Sequence, residues 1–556
     1  MRKVIVLCLV MLNLFQIASV NAQVPNWDWA KDGSFGPTGI FGHTGFSEGS
    51  EVITDISGNM YFTGEYQWDS IQFGSFYLDS PGQSIFLVKY NPTGTVRWAK
   101  TSKGNNVGWS KVATDNLGNV YLVGSYGSST ISFGSITLTN TTTTNYADGF
   151  LIKYDSIGNV IWAGDIGGTG NDVPSSIAID PIGNVLISGY YNSPNLSFSG
   201  TNILSNSSGN YETFIAKYDS SGNIIWAKSS ISNNNDYSYS ITTDNLGNAY
   251  IGGTFSSTNI TFQTTSLTNN SGGDAFLVKY DSSGNVLSAQ NSVGAGTIYS
   301  IASISSGKLF ITGNYSSNSI TFGSHTLNGT GQYNAFAAEY NSLGTVDWIK
   351  GSSDSKGWTI VADASGNSYI SGSLDTTTIT FDTITIPIIV PHTNDQMFLI
   401  KLDALGNGLW AKTLGSGGDD VNSVAIDNTG NVYFGGDYLA SPFIIGNDTL
   451  IKSGTEVPFV AKLSYPSIEA VSLILNPKSE VEIYPNPATT SFTVTSTGSK
   501  IKEINVFTVL GELVNSEQAI GNNQSTINVS QYSKGIYFVQ ITDENKNVAT
   551  RKIVIE

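Results

Sequence analysis

Three histidines, His43, His325 and His392, supply the only imidazoles in this chain of 556 residues. They stand far apart, without H-x-x-H or H-E-x-x-H spacing, so a histidine-based zinc site is not expected. His43 alone could act only as an isolated general base, and a surface loop is the simpler reading of it. The single cysteine, Cys8, lies in the apolar run that opens the chain. Everything after that run therefore lacks a disulfide, a thiolate nucleophile and a thiolate metal ligand. No serine-nucleophile elbow is expected, since the one G-x-S-x-G spelling, Gly45-Phe46-Ser47-Glu48-Gly49, has no strand-turn-helix pattern around it, and no phosphate-cradling P-loop is present.

Aspartates are the next group with possible chemistry. They recur in D-x-x-G-N segments, which raises calcium as a ligand, but a calcium loop needs several carboxylates at alternating positions, as in D-x-[DN]-x-[DN]-G. Turn chemistry already accounts for each Asp here, since a carboxylate accepts backbone N–H groups two residues on. No metal and no cofactor is expected. Asp419-Asp420 and Asp165 read as loop acids without a visible partner, and a carboxylate pair for glycoside hydrolysis would be spatial, not sequential. Trp98, Trp162, Trp226, Trp348 and Trp410 recur at one strand position and read as packing residues. Trp68, Trp109, Trp358 and the pair Tyr190-Tyr191 break that pattern, which makes them candidates for a binding face. No catalytic residue emerges.

The elements that position these residues come from internal repetition. A strand ending in D-x-x-G-N and followed by an aromatic-bearing strand begins at Asp55, Asp115, Asp180, Asp244, Ile304, Asp363 and Asp427, with 59 to 65 residues between copies. A second landmark, F-x-x-K-Y-D-x-x-G-x-V-x-W-A-K, has its best copies at Phe150–Gly164 and Phe214–Lys228 and others from Phe86, Phe276, Phe336 and Phe398. A third, I-x-F-G or a variant, falls at Ile71, Ile131, Leu196, Ile260, Ile320, Ile379 and Phe443. Short runs rich in β-branched and aromatic residues, divided by D-x-x-G turns, give two hairpins and four principal strands per unit, with I-x-F-G connecting the hairpins.

Four antiparallel strands repeated seven times predict an all-β chain and a β-propeller. The chain ends favour a ring over a solenoid, which would need capping units. Trp27-Asp28-Trp29-Ala30-Lys31 is a last strand with no third strand before it; Phe459-Val460-Ala461-Lys462-Leu463 is a third strand with no last strand after it. The N-terminal strand is thus expected to close a seven-bladed ring. The G-N-V-Y-L-V-G and G-N-V-Y-F-G-G runs resemble the seven-bladed β-propeller (SBBP-type) repeats of bacterial exported proteins over roughly residues 25 to 465, a family without shared catalytic residues. The fifth unit departs most, with Ile304 in place of the turn Asp and Ser288 in place of the Trp.

Residues 1–22 read as a secretory signal peptide: Arg2 and Lys3, an apolar run from Val4 to Ile17, and small residues ending at Ala22. No later stretch is long and apolar enough to span a bilayer. Residues 23–465 are assigned to the propeller, 466–480 to a linker and 481–556 to a small C-terminal β-sandwich of short alternating strands. That last segment resembles the type A C-terminal sorting domain of the type IX secretion system. The resemblance rests on the Y-P-N-P-A opening from Tyr484, V-F-x-x-L-G-E-x-V from Val506, S-K-G-I-Y-F-V from Ser533 and the R-K-I-V-I end from Arg551. It implies partnership with the type IX machinery, delivery to the outer surface of a Gram-negative bacterium or beyond, and removal of the domain on export, with the passenger joined to surface lipopolysaccharide or released.

A formal net charge of −17, with charged residues at only 12%, opposes nucleic acid and anionic membranes as partners. The expected function is therefore non-enzymatic recognition or adhesion, with a glycan or protein as ligand. The alternatives are a polysaccharide-degrading enzyme with acids in the central channel and a purely structural surface coat.

Overall fold

The computed structural model describes residues 25–35, 46–67, 70–79, 82–108, 110–140, 142, 146–374, 378–381, 384–387, 396–414, 420–439, 441–465, 481–497, 499–508, 513–545 and 548–556. Among these, every regular element is a β-strand. The chain divides into two compact units, Met1–Tyr465 and Pro466–Glu556.

In the first unit one four-stranded set serves as the pattern: Phe46–Thr54, Met60–Gln67, Ser84–Tyr90 and Val96–Lys103 pair antiparallel in chain order. Such sets recur seven times among the described residues. Their first strands are Phe46–Thr54, Lys111–Thr114, Asp172–Ile179, Asp236–Thr243, the second half of the long strand Val286–Ser303, Ser355–Ala362 and Asp420–Ile426. Each first strand lies beside the next, and the last returns to the first, so together they form the inner wall of a closed propeller. Hydroxyls lace that wall: Ser176, Ser240 and Ser300 accept the N–H groups of Ile241, Ile301 and Ile360 in the following blade at 3.0–3.2 Å. The ring closes through Asn26–Asp32, which pairs with Val457–Ser464 from Asn26↔Ser464 to Asp32↔Phe459.

The turns behave as their composition requires. In the first, the Gly58 N–H donates to the Asp55 carbonyl, the Ser57 and Asn59 N–H groups donate to Asp55 Oδ1, and Gly58 takes a φ of +74°. The Asn59 amide and the Tyr61 hydroxyl complete the shell at Oδ2, 2.8 and 3.1 Å away.

The I-x-F-G stretches do more than connect hairpins. Each of those described folds into a hairpin of its own, such as Thr130–Phe133 with Ile136–Thr139, and this one pairs with the outer strand of the preceding blade at Phe133↔Ser102. Its Phe explains the landmark. Phe73, Phe133, Phe262 and Phe322, and Phe443 from the first position of its variant, each pack, at 4.9–5.3 Å between ring centroids, on a Phe of their own blade's third strand. Those partners, Phe86, Phe150, Phe276, Phe336 and Phe459, are fully buried. One aromatic pair therefore anchors the strap in each of these five blades.

The second unit holds two sheets. One has the order Val481–Tyr484, Ser491–Ser496, Gln524–Asn528; the other has Leu513–Asn522, Ile501–Thr508, Gly535–Asp543, Val548–Ile555. Phe492, Val494 and Ile527 of the first share one core with Ile504, Val506, Val539 and Ile553 of the second. The Y-P-N-P opening is tied to the R-K-I-V-I end: Asn486 Oδ1 accepts the Val554 N–H at 2.9 Å and Asn486 Nδ2 donates to the Lys552 carbonyl at 2.8 Å.

Candidate functional site

Six of the inner strands carry a β-bulge ahead of the turn, between Gly49 and Glu51, Pro174 and Ser176, Ser238 and Ser240, Ile298 and Ser300, Gly357 and Thr359, and Val421 and Ser423. A bulge inserts one extra residue and re-aims its side chain. The inserted residues are Ser50, Ser175, Tyr239, Tyr299, Trp358 and Asn422. Three consecutive blades thus place an aromatic ring at a position that is small or polar elsewhere.

These rings touch. Tyr239 and Tyr299 are 5.3 Å apart and Tyr299 and Trp358 are 5.0 Å apart, centroid to centroid. Tyr237 stacks on Tyr239 at 6.2 Å with an interplanar angle of 17°. Tyr190 meets Tyr237 edge-on at 4.9 Å, and Tyr211 lies 5.5 Å from Tyr237. The result is a continuous arc of six rings across the third to sixth blades, each half-buried and so partly open to solvent. Polar groups fix its ends: Trp358 Nε1 donates to Ser373 Oγ at 3.2 Å, and Asn171 Nδ2 donates to the Tyr211 hydroxyl at 3.0 Å. Beside it, Lys356 Nζ stands 5.3 Å over the exposed ring of Tyr333. Burial, followed by the neighbouring Tyr211 and Tyr237, pushes the Tyr190 hydroxyl up to about 12, and burial likewise raises Tyr239 and Tyr299. The hydroxyls stay protonated at neutral pH and remain donors.

The carboxylates of the same wall serve the fold. Ser193 Oγ donates to Asp172 Oδ2 at 2.6 Å, and Ser257 holds Asp236 through both its N–H and its hydroxyl. Glu51 pairs with Lys111 of the next blade at 3.8 Å and accepts the Val112 N–H. Among the described residues no three His, Cys, Asp or Glu side chains gather as a ligand set. On the opposite edges of the blades the F-x-x-K-Y lysines lie over aromatic rings, as Lys89 does over Tyr61 at 4.9 Å.

Of the residues singled out in the sequence, Trp358 and Tyr190 join the arc, while Tyr191 is fully buried in the core. The repeated tryptophans pack against the turn glycine of the following blade: Trp98 on Gly158, Trp162 on Gly222, Trp226 on Gly284 and Trp348 on Gly406. Asp165 is not a loop acid. It lies in the strand Val160–Gly167, opposite Phe150, because the outer strand runs past the W-A-G motif. Asp420 likewise opens a strand instead of sitting in a loop. His325 belongs to an outer hairpin, Ser319–Phe322 with His325–Asn328. Cys8, His43, Trp68, Trp109, His392, Asp419, the signal segment and the linker lie outside the described residues. Tyr211, Tyr237, Tyr239 and Tyr299 escaped the reading by motif. Aligning the repeats on the turn Asp places Tyr239, Tyr299 and Trp358 in one column, five residues ahead of it, and that column is the signal.

Residues 482–556 match the secretion system C-terminal sorting domain. A WD repeat-containing protein of Acanthamoeba polyphaga mimivirus is 29% identical over 230 residues, 35% of this chain and 16% of that protein. An endo-acting ulvan lyase of Formosa agariphila is 31% identical over 78 residues, 14% of this chain and 15% of the lyase. The chain thus spans about a sixth of the length of either relative. Among solved structures, the Pan2 WD40 domain of Neurospora crassa is 9% identical, covering 80% of this chain and 98% of that domain with a TM-score of 0.38. The chain is an all-β propeller protein that carries a secretion-system C-terminal sorting domain and is exported by the type IX route to the cell surface or beyond it.

Proposed function

We propose that residues 23–465, after removal of a signal peptide at 1–22, form a non-enzymatic module that binds a carbohydrate polymer on the aromatic arc. The observation that carries this is the unbroken run of half-buried rings from Tyr190 to Trp358, four of them on the inner strands. Flat apolar faces edged with hydroxyl donors suit pyranose rings, whose C–H faces stack and whose hydroxyls need partners. The wall carboxylates Asp172, Asp236 and Glu51 are held by serine, backbone and lysine partners, which favours binding over hydrolysis.

The sorting domain engages the type IX machinery and is removed in the linker 466–480, leaving the propeller at the outer surface or released. A glycan and polysaccharide array probed with the full chain tests the reading against the Tyr239→Ala/Trp358→Ala double variant. Binding by the native chain, lost in the variant, is the expected result. Equal binding by both moves the ligand away from the arc, and binding to nothing leaves a protein ligand or a structural coat.

A further inference from the structure

We infer a second binding site, for a small planar aromatic molecule bearing a ring N–H, at the junction of the fourth and fifth blades. The repeat itself supplies the argument. In other blades the outer-strand tryptophan sits over the glycine of the next blade's turn and contacts the aromatic ring of its own second strand: Trp98 lies 6.0 Å from Tyr61, Trp162 6.2 Å from Tyr121 and Trp410 6.2 Å from Tyr369. Three of the repeated indoles donate Nε1–H to the turn carbonyl of the next blade, Trp98 to Ser156, Trp162 to Ser220 and Trp226 to Ser282, at 3.2–3.3 Å.

In the fourth blade Ser288 stands in the tryptophan's place, and Ser342 occupies the position of Ser156, Ser220 and Ser282. The space is only partly refilled, by Gln290, whose Nε2 donates to the Gly344 carbonyl at 3.0 Å. A cavity of about 80 Å³ opens there, lined by Tyr250, Lys279, Ser288, Gln290, Leu309 and Gly344. Tyr250 is only half-buried, whereas Tyr61, Tyr121 and Tyr369 are fully buried beneath their indoles. At Gly344 the nearest atom to an added Cβ is Gln290 Nε2 at 3.9 Å, against tryptophan ring carbons at 2.7–3.0 Å in the equivalent turns. The cavity thus has an aromatic wall, a cation at 4.9 Å over that wall that also pairs with Asp244 at 3.7 Å, and on its lining Ser342, the residue whose counterparts accept the indole N–H in other blades. An apolar cavity of about 150 Å³ in another protein takes up benzene. This one is smaller, has a polar rim and opens to solvent, and it lies where the repeat elsewhere places an indole.

The test uses free indole and the full-length chain, with binding read by saturation-transfer NMR. Indole is expected to bind the native protein and Ser288→Ala, and to lose at least tenfold in affinity for Ser288→Trp, which supplies the ring covalently. Native-like binding by Ser288→Trp, or no binding by the native chain, overturns the inference. Gln290→Trp, which covers the mouth from the same strand, is the second blocker should Ser288→Trp fail to fold. Retention of indole by that variant also overturns it. Loss of glycan binding on the arc would leave this result untouched.

Discussion

Lys308 and Glu339 form an ion pair in which the charges of the repeat are exchanged. Elsewhere a turn Asp faces the lysine of F-x-x-K-Y, as Asp180 faces Lys217 at 3.0 Å. In the fifth blade Ile304 removes the acid, Lys308 replaces the turn Asn, and Glu339 replaces the lysine. Glu339 is fully buried and also accepts the Trp348 indole N–H at 2.9 Å. The blade with the most divergent sequence has kept the interaction by inverting it.

Glu339→Ala should therefore destabilise the propeller by about 2 kcal/mol, since it strands a partly buried ammonium and an indole N–H together. The combined change Ile304→Asp, Lys308→Asn and Glu339→Lys, which rebuilds the common arrangement, should recover most of that loss. Urea denaturation of the three proteins measures both. Equal stability of Glu339→Ala and the native chain would refute the exchange.

Two glycines separate backbone strain from crowding. Gly183 and Gly222 share a φ of +88°, yet a Cβ on Gly183 meets nothing within 4 Å, while one on Gly222 comes within 2.9 Å of the Trp162 ring. Alanine at Gly183 should cost about 1 kcal/mol for the left-handed conformation alone. Alanine at Gly222 should cost about 1–3 kcal/mol more from overpacking. Thermal unfolding of the pair reads the difference directly.

Asp172 gives the fold a pH dependence with a definite sign. Burial, reinforced by the nearby Asp148 charge and opposed by Ser193, moves its carboxyl from 3.8 up to about 7. Between about pH 4 and 7 the folded chain keeps a proton that the unfolded chain has released, so this group's contribution to stability falls as pH rises through that window. Asp172→Asn should then gain in melting temperature, relative to the native protein, on going from pH 5 to pH 8. A difference that does not change with pH would contradict the assignment.

On the arc, single Ala replacements of Tyr237, Tyr239, Tyr299 and Trp358 should each weaken polymer binding by about 1 kcal/mol, roughly fivefold, by isothermal titration. Tyr191→Ala, in the core of the same region, should lower stability and leave the affinity of the folded fraction unchanged.

In the sorting domain, Asn486→Ala removes both hydrogen bonds to the last strand and should cost about 2 kcal/mol. Export then depends on whether the domain stays folded. Fractionation of a type IX host should show the variant retained inside the cell in proportion to that loss, and a full deletion of 482–556 retained completely.

The turn chemistry, the repeat and the division of each unit into strands were legible in the sequence because each rests on neighbours a few residues apart. An Asp that caps its own hairpin and a Gly that takes positive φ need no distant partner. The strand missing at one end and left over at the other even implied how the ring closes. Tertiary structure alone decided what lies between blades. The strap formed by I-x-F-G, the exchanged pair Lys308–Glu339, the cavity left by Ser288 and the arc from Tyr190 to Trp358 all join side chains from different strands or different blades. Their contacts depend on the angle at which one sheet packs on the next and on bulges that turn single residues inward, and neither quantity is written in local spacing.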